Sequence, residues 1–327
     1  MGLYIKGLEH YLPPKVIDNK YLEEACGIDP VFLENKIGIK ERRVASDDEP
    51  TSVMAVKAGT VLLAKQLVTP EEIDLLILCT QTPDYRLPGI AGLVHKGLGL
   101  RASCMAFDLS MGCSGYVYSL ALADALMKTN GLRRAILIMA EQYSKTIDYR
   151  DRATASIFSD AASASLLAPC PEGFGYLAGV FGTDGTKADK LILPNSGVVK
   201  DPTSGSSLFM DGREIFKFAV HTVPESIRSL LSGADKRIEQ VRFVVLHQAN
   251  RYMLLELQKR IGLTDSQMVI DMEYIGNTVS SSIPIALQNL LERRAVAHGE
   301  LLVLCGFGVG LSWGSVLYRH FVPDGGD

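Results

Sequence analysis

The chain has 327 residues, which is enough for two ordinary domains or one large duplicated domain, and 47% of them are hydrophobic. This composition supplies a sizeable core and excludes a disordered chain. The 33 basic and 37 acidic residues give a net charge of −4, so no overall positive field is present to hold nucleic acid. We therefore expect a globular protein that does not bind nucleic acid.

Membrane insertion and extracellular disulfide chemistry are also disfavoured. No apolar run reaches the roughly 18 residues of a membrane span, and residues 1–6 lack the hydrophobic core of a secretory signal. The six cysteines are scattered and form no Cys-x-x-Cys pair, which predicts neither a disulfide framework nor a zinc site. We expect a cytoplasmic protein with reduced cysteines and no bound metal.

Short apolar runs alternate with longer segments of helical periodicity along the chain. Strand-like and helix-like segments include Ile73–Cys79, Tyr116–Met127, Ala135–Ala140, Val241–Leu246, Met253–Ile261 and Leu301–Cys305. Such alternation is typical of an α/β fold whose strands are buried on both faces by helices. A glycine-rich segment over 173–185 and a Pro- and Ser-rich stretch over 194–207 mark a break in texture. We predict two halves, residues 1–170 and residues 171–327.

The two halves contain an internal repeat. Met105–Leu109 and Met268–Met272 have the same pattern of apolar residues around an aspartate, and each is followed by glycine and a helix-like segment. The alternative is that two short strings match by chance. A duplication places Cys113, His247 and Asn277 at corresponding strand ends, where ligands bind in doubly wound sheets.

Cys113 is the candidate nucleophile. It stands in Ser110-Met-Gly-Cys-Ser-Gly115, between a predicted strand and the helix Tyr116–Met127, so we expect it in the first helical turn. The amino end of a helix stabilises anions and predicts a lowered thiol pKa. His247 follows a predicted strand, and Asn277 precedes a predicted helix. The alternative for Asn277 is that it serves only as a helix cap. Together these residues suit acyl transfer to sulfur with hydrogen-bond donors for an enolate oxygen.

Four motifs resemble the beta-ketoacyl-acyl-carrier-protein synthase III family of thiolase-like ketosynthases. They are Gly112-Cys-Ser-Gly115, His247-Gln-Ala-Asn250, Gly276-Asn-Thr278 with Ser281-Ser-Ile-Pro284, and Gly306-Phe-Gly-Val-Gly-Leu-Ser-Trp-Gly314. The resemblance covers nearly the whole chain. It implies a five-layer αβαβα fold made of two duplicated halves, a homodimer, and no cofactor.

The resemblance also implies roles for individual residues. Cys113 takes an acyl group from a thioester, His247 and Asn277 stabilise the malonyl enolate, and the amides of Cys113 and Val309 form an oxyanion hole. The coenzyme A and pantetheine channel falls on Phe32, Lys36, Arg152, Gly212, Phe216 and Asn250. An acyl carrier protein is acidic, and the candidates for docking it are Lys217, Arg251, Lys259 and Arg260, which are otherwise ordinary solvated cations.

This chain departs from the family pattern at several positions. Phe32 replaces the tryptophan that stacks on adenine, Lys36 replaces an arginine, and Val309 replaces a glycine. In some family members a bulky aromatic residue from the dimer partner closes the acyl pocket, and Leu87 takes its place here. Phe158 is also assigned to the acyl pocket. We therefore predict acyl chains longer than acetyl, with either coenzyme A or a carrier protein as donor.

The resulting prediction is a decarboxylative Claisen condensation between an acyl thioester and malonyl-acyl-carrier protein, in fatty-acid initiation or a specialised pathway. One alternative is an acyltransferase that passes the acyl group to an amine or alcohol. Another is a non-catalytic partner subunit of a ketosynthase heterodimer, although the retained Cys113, His247 and Asn277 argue against it.

Overall fold

The computed structural model describes residues 2–293 and 296–323. The strands are β1 (Gly2–Tyr11), β2 (Lys15–Asp18), β3 (Glu41–Val44), β4 (Leu75–Cys79), β5 (Met105–Leu109), β6 (Ala135–Glu141), β7 (Ala161–Cys170), β8 (Gly175–Thr183), β9 (Leu191–Ile192), β10 (Phe209–Met210), β11 (Val241–Leu246), β12 (Leu301–Gly308) and β13 (Ser312–Arg319). The helices are α1 (Asn19–Cys26), α2 (Pro30–Phe32), α3 (Thr51–Lys65), α4 (Ala91–Gly97), α5 (Gly115–Asn130), α6 (Arg152–Ala155), α7 (Gly212–Gly233), α8 (Arg251–Ile261) and α9 (Ser282–Glu292).

Two large sheets repeat one topology. The first has the strand order β1-β7-β6-β4-β5, and the second has the order β8-β13-β12-β11. In the first, β4 runs parallel to β5 and β6, while β7 runs antiparallel to β6 and β1. In the second, β11 runs parallel to β12, while β13 runs antiparallel to β12 and β8. The sheets therefore match strand for strand, except that β5 has no full counterpart.

The repeat segment Met268–Met272, which matches β5 in sequence pattern, forms only a single parallel bridge, between Val244 and Met268. The segment lies beside β11, where β5 lies beside β4, but a glutamine side chain replaces part of the ladder. Oε1 of Gln248 accepts from the amide of Asp271 at 2.8 Å, and its Nε2 donates to the carbonyl of Val269 at 3.2 Å. The segment lies where the repeat predicts it, but the prediction that Asn277 follows a strand as Cys113 does is wrong.

The helices form three layers around the two sheets. Helix α3 packs on one face of the first sheet, α5 and α9 lie between the sheets, and α7 covers the second sheet with α8 packed against α7. Helix α5 contacts strands of both sheets, and α9 does the same. Most strand residues of β4, β6 and β12 are fully buried because both faces of their sheets are covered.

The predicted elements around the candidate site are confirmed within a few residues. Strand β11 coincides with the predicted Val241–Leu246, and α5 extends the predicted helix at both ends. The chain passes from the first large sheet to the second between Cys170 and Gly175. The division into residues 1–170 and 171–327 remains a prediction. No helix in the described part of the chain is long and apolar enough to cross a membrane.

Candidate active site

Cys113 occupies a tight turn between β5 and α5. The expected position inside the first helical turn is wrong by two residues, because the helix begins at Gly115 and Ser114 is its N-cap. The amide of Gly115 donates to the carbonyl of Gly112 at 2.7 Å and closes the turn. A Cβ at Gly115 would lie 2.3 Å from Sγ of Cys79, so only glycine fits at this close approach.

His247 is placed by the second sheet, at the carboxyl end of β11. Its amide donates to the carbonyl of Cys305 at 2.8 Å, which continues the ladder with β12 by one bond. The side chain is only 2% exposed. The prediction that His247 stands at a strand end is therefore confirmed by the backbone.

Asn277 is held by a segment of the first half. Its amide donates to the carbonyl of Ile157, and its carbonyl accepts from the amide of Ser159, both at 2.9 Å. Its side-chain Oδ1 accepts from the amide of Val279 at 2.9 Å, while Nδ2 lies 3.4 Å from the carbonyl oxygen of Ala249. Both orientation and position of the side-chain amide are thus set by backbone groups.

The three predicted residues meet in one buried cavity of about 70 Å³. Its lining also includes Ile157, Phe158, Leu191, Met210, Gly212, Ile215, Ala249, Asn250, Met253, Phe307 and Gly308. Cys113 comes from the first half, whereas His247 and Asn277 come from the second. Their convergence is a tertiary fact that the strand-end prediction anticipated.

The backbone around Gly308 comes very close to the nucleophile. A Cβ at Gly308 would lie 3.0 Å from Sγ and 2.9 Å from Cβ of Cys113. This contact leaves the amide of the next residue, Val309, near the sulfur. The amides of Cys113 and Val309 both form hydrogen bonds that lower the pKa of the Cys113 thiol. Two N–H groups therefore converge on one point, as an oxyanion hole requires.

Two serines fix this arrangement and were not singled out from the sequence. Oγ of Ser312 donates to the carbonyl of Val309 at 2.7 Å, and it also lies 2.7 Å from Oγ of Ser114. These two hydrogen bonds link Val309, through Ser312, to Ser114, the residue after Cys113. The Val309 side chain packs against Gly112, since its Cγ1 would lie 2.5 Å from a Cβ there.

The predicted lowering of the Cys113 pKa is wrong for the folded protein. Burial raises the pKa of this thiol to about 12, and the nearby Glu141 carboxylate acts in the same direction. The hydrogen bonds from the amides of Cys113 and Val309 lower it by less than burial raises it. Desolvation therefore outweighs the helix end at a fully buried sulfur.

Glu141 carries a buried carboxyl group that acts on Cys113. Burial raises its pKa to about 8. Its oxygens accept hydrogen bonds from the amide of Gln81 at 3.1 Å and from the hydroxyls of Thr82 and Ser280 at 3.0 and 3.2 Å. The carboxyl group ties the loop after β4 to the segment that carries Asn277.

His247 is a neutral imidazole in this environment. Burial lowers its pKa to about 3, and the Val279 carbonyl raises it by less. Nδ1 lies 2.7 Å from Oγ of Ser282, and the ring meets Phe307 edge to face with centroids 5.5 Å apart. Ser282, like Glu141, was missed, because a serine at a helix start ordinarily indicates only a cap.

The predicted channel residues fall into three groups. Gly212 and Asn250 line the cavity itself. The Arg152 guanidinium lies 5.6 Å from the ring centre of Phe32. Lys36 Nζ lies 4.4 Å from the ring centre of Tyr252, which stacks on Phe216 at 5.4 Å. Tyr252 was not predicted, although it follows the quoted motif by two residues.

Half of the predicted carrier-docking patch is engaged in local ion pairs. Lys217 contacts Glu214 and Arg260 contacts Glu256, both at 2.6 Å. Arg251 and Lys259 are exposed on α8. Since paired cations present less net charge, Arg251 and Lys259 are the stronger candidates, and the patch remains a prediction.

The two predicted acyl-pocket residues lie apart within one chain. Phe158 lines the Cys113 cavity. Leu87, on the loop after β4, is 90% exposed and does not line that cavity. An acyl-pocket role for Leu87 therefore needs a second copy of the chain.

Sequence and structure comparisons place the chain among known proteins. Residues 107–185 match the family 3-oxoacyl-[acyl-carrier-protein (ACP)] synthase III, and residues 231–320 match its C-terminal family. Beta-ketoacyl-[acyl-carrier-protein] synthase III 1 of Bacillus anthracis is 34% identical over 98% of this chain and 99% of its own.

Two solved structures are similar to this chain in sequence and in fold. The 3-oxoacyl-[acyl-carrier-protein] synthase III of Aquifex aeolicus VF5 is 34% identical with a TM-score of 0.91, covering 98% of this chain and 100% of its own. The priming beta-ketosynthase of the R1128 polyketide biosynthetic pathway is 31% identical with a TM-score of 0.91, covering 98% and 97%.

The duplicated five-layer α/β fold is that of the thiolase-like proteins, as the resemblance implied. The chain belongs to the 3-oxoacyl-[acyl-carrier-protein] synthase III family. It is therefore a condensing enzyme of the ketosynthase type.

Proposed function

We propose that this enzyme condenses an acyl group carried on Cys113 with malonyl-acyl-carrier protein. The convergence of Cys113, His247 and Asn277 in one buried cavity carries the proposal. In the first step the sulfur forms a bond to the acyl carbon of an incoming thioester. The thiol of the donor leaves with the proton that Cys113 loses.

The oxygen of the acyl group becomes negatively charged in this step. The amides of Cys113 and Val309 stabilise it, because both already face the sulfur position. A resting thiol with a pKa of about 12 is protonated at neutral pH. Deprotonation therefore accompanies attack on the bound donor, and the buried free enzyme does not hold a stable thiolate.

In the second step malonyl-carrier protein loses carbon dioxide, and its enolate carbon attacks the acyl-Cys113 carbonyl. The products are a 3-oxoacyl-carrier thioester, carbon dioxide and, after uptake of one proton, the free thiol. His247 and Nδ2 of Asn277 line the cavity as donors for the enolate oxygen. The described residues supply the polar groups for both steps, and we propose no cofactor.

Donor and carrier enter on the side of the cavity formed by Gly212 and Asn250. A guanidinium over an aromatic ring, as at Arg152 and Phe32, suits the adenine of coenzyme A, and cationic Lys36 and Arg251 suit phosphate groups. The arm of an acyl carrier protein fits the same route. We propose both as partners.

We further propose that the enzyme is a homodimer. Strand β5 is the edge of the first sheet and pairs only with β4 among the described strands, which leaves one side free for the same strand of a second copy. Leu87 and Tyr85 expose 90% and 59% of their surface on the loop after β4. A partner at this edge covers both and brings Leu87 to the acyl group of the other protomer.

The test is intact-protein mass after incubation with acyl-coenzyme A and acyl-carrier donors, for the wild type and Cys113→Ala. We expect an acyl adduct on the wild type only, which malonyl-carrier protein discharges with release of carbon dioxide and a 3-oxoacyl product. Donors longer than acetyl are expected to work. Acetyl-only labelling contradicts the pocket proposal.

The same experiment separates the competing functions. An adduct that an amine or alcohol discharges and malonyl-carrier protein does not indicates an acyltransferase of secondary metabolism. No adduct from any donor, with a folded dimer, indicates a non-catalytic subunit.

A further inference from the structure

A second cavity, open to solvent, adjoins the Cys113 cavity and is lined by the polar side chains of Gln81 and Tyr143. It has a volume of about 690 Å³, within the usual range of ligand pockets. Leu191 lines both cavities. The rings of Tyr143, in the second cavity, and Phe158, in the first, lie 4.9 Å apart. The two cavities are thus neighbours, and the side chains of Leu191, Tyr143 and Phe158 lie where they meet.

Gln81 reaches from this second cavity to the turn that carries the nucleophile. A Cβ at Gly112 would lie 2.5 Å from Oε1 of Gln81. The hydroxyl of Tyr143 donates to the same Oε1 at 2.9 Å. The side-chain amide is therefore fixed next to Cys113, with its oxygen already engaged.

The other end of the amide is free. Among the hydrogen bonds of residues 2–293 and 296–323, none involves Nε2 of Gln81. The loop does not depend on this side chain for its position, because the backbone amide of Gln81 donates to Glu141 at 3.1 Å. Gln81 lines the cavity together with apolar residues such as Leu208 and Val309, so a ligand bound there can approach the free Nε2.

We propose that Gln81 and Tyr143 select an acyl group that carries a hydroxyl or keto oxygen beyond its thioester carbonyl. This inference rests on the proposed function, since it assigns the second cavity to the acyl group on Cys113. A plain alkyl chain in the cavity removes water from Nε2 and leaves the donor unpaired. An acyl chain with a suitably placed oxygen accepts a hydrogen bond from Nε2 and so replaces the one that Nε2 made to water.

The experiment compares acylation of Cys113 by butanoyl-coenzyme A with acylation by its 2-hydroxy, 3-hydroxy and 3-oxo derivatives. We expect kcat/KM for at least one oxygenated donor to exceed that for butanoyl by about three- to tenfold, the worth of one hydrogen bond. In Gln81→Leu the ratio falls to about one or reverses, with butanoyl acylation retained. Tyr143→Phe lowers the ratio by releasing the amide.

The matched control is Ser196→Ala, which removes a hydroxyl from the same cavity that is already bonded to the carbonyl of Leu193 at 2.7 Å. Its ratio is expected to equal that of the wild type. A wild-type ratio of one or less for all three derivatives overturns the inference, as does an unchanged ratio in Gln81→Leu. Failure of every donor to acylate wild-type Cys113 overturns the proposed function instead, and the selectivity with it.

Discussion

Nδ1 of His247 lies 2.7 Å from Oγ of Ser282, and the same Oγ lies 2.9 Å from the carbonyl oxygen of Val279. Ser282 has one hydroxyl hydrogen and can donate it to only one of these two acceptors. When it donates to Nδ1, the proton of the neutral imidazole sits on Nε2, where it can donate to an enolate oxygen. Ser282 is therefore a positioning residue for His247.

Replacing Ser282 by alanine tests this relationship. The Val279 carbonyl, which already contacts the ring, then no longer competes with the Ser282 hydroxyl and holds the proton on Nδ1, which leaves Nε2 as an acceptor. We expect malonyl decarboxylation to fall at least tenfold, while acylation of Cys113 changes less than twofold. The control is Ser281→Ala, whose lost hydroxyl bonds the Met139 carbonyl at 3.0 Å and not His247. Equal loss in both half-reactions contradicts the role of Ser282.

Alkylation kinetics test the protonation state of Cys113. Because burial raises its pKa to about 12, the iodoacetamide rate constant should rise about tenfold per pH unit from pH 7 to pH 9, without a plateau. Peptide mass mapping separates Cys113 from the other five cysteines. A rate constant that stops rising below pH 8 would contradict this prediction, because it indicates a thiolate stabilised by the helix end.

Gly308→Ala tests the close approach that forms the oxyanion hole. The new methyl group would lie 3.0 Å from Sγ of Cys113, so it displaces the sulfur or the Val309 amide. We expect acylation to fall at least tenfold, since one misplaced donor of this kind has large effects on kcat. Gly205→Ala, with open space around its Cβ, is the control. Full activity of Gly308→Ala removes the geometric basis of the oxyanion hole.

Mixed dimers test whether Leu87 acts on the partner subunit. Because Leu87 is 90% exposed and absent from its own Cys113 cavity, Leu87→Phe should shorten the longest accepted acyl chain only in trans. In dimers of one Cys113→Ala, Leu87→Phe protomer with one wild-type protomer, the active Cys113 faces the altered residue. We expect the shorter chain limit there. In the control dimer, one protomer carries Cys113→Ala and the other carries Leu87→Phe. The active Cys113 then faces the unaltered Leu87 of its partner, and we expect the chain-length limit of the wild type.

Glu141 should make stability depend on pH. Burial raises its pKa to about 8 in the folded state, above the ordinary 4.5 of an unfolded chain. Between these values the folded protein binds more protons than the unfolded one, so the free energy of unfolding falls as pH rises. The slope for one group is at most about 1.4 kcal/mol per pH unit.

Urea unfolding of the wild type and Glu141→Gln from pH 5 to pH 8 measures the contribution of Glu141 to the free energy of unfolding. We expect the wild type to lose stability relative to the variant across that range. The exposed Glu23→Gln provides the control for the loss of one carboxyl group. A wild-type advantage that grows with pH shows instead that Glu141 is ionised in the folded protein.

Much of the fold was predictable because its signals are local. The apolar run of β11 and the helical periodicity of α5 predict those elements directly, since fully buried strands and helices leave such patterns. The segment after Thr264 shows the limit of that reasoning. Its composition matches β5, yet the Gln248 side chain, more than twenty residues away, takes over part of its hydrogen bonding.

The sequence by itself determined which residues form the candidate site. Cys113, His247 and Asn277 are identified by residue type and by corresponding places in the two halves of the repeat, while their meeting in one cavity joins residues that follow two different sheets. Only the tertiary structure decided their chemical state. The pKa of Cys113, the Ser282 contact of His247 and the free amide of Gln81 all depend on burial and on neighbours from distant segments, which periodicity does not report.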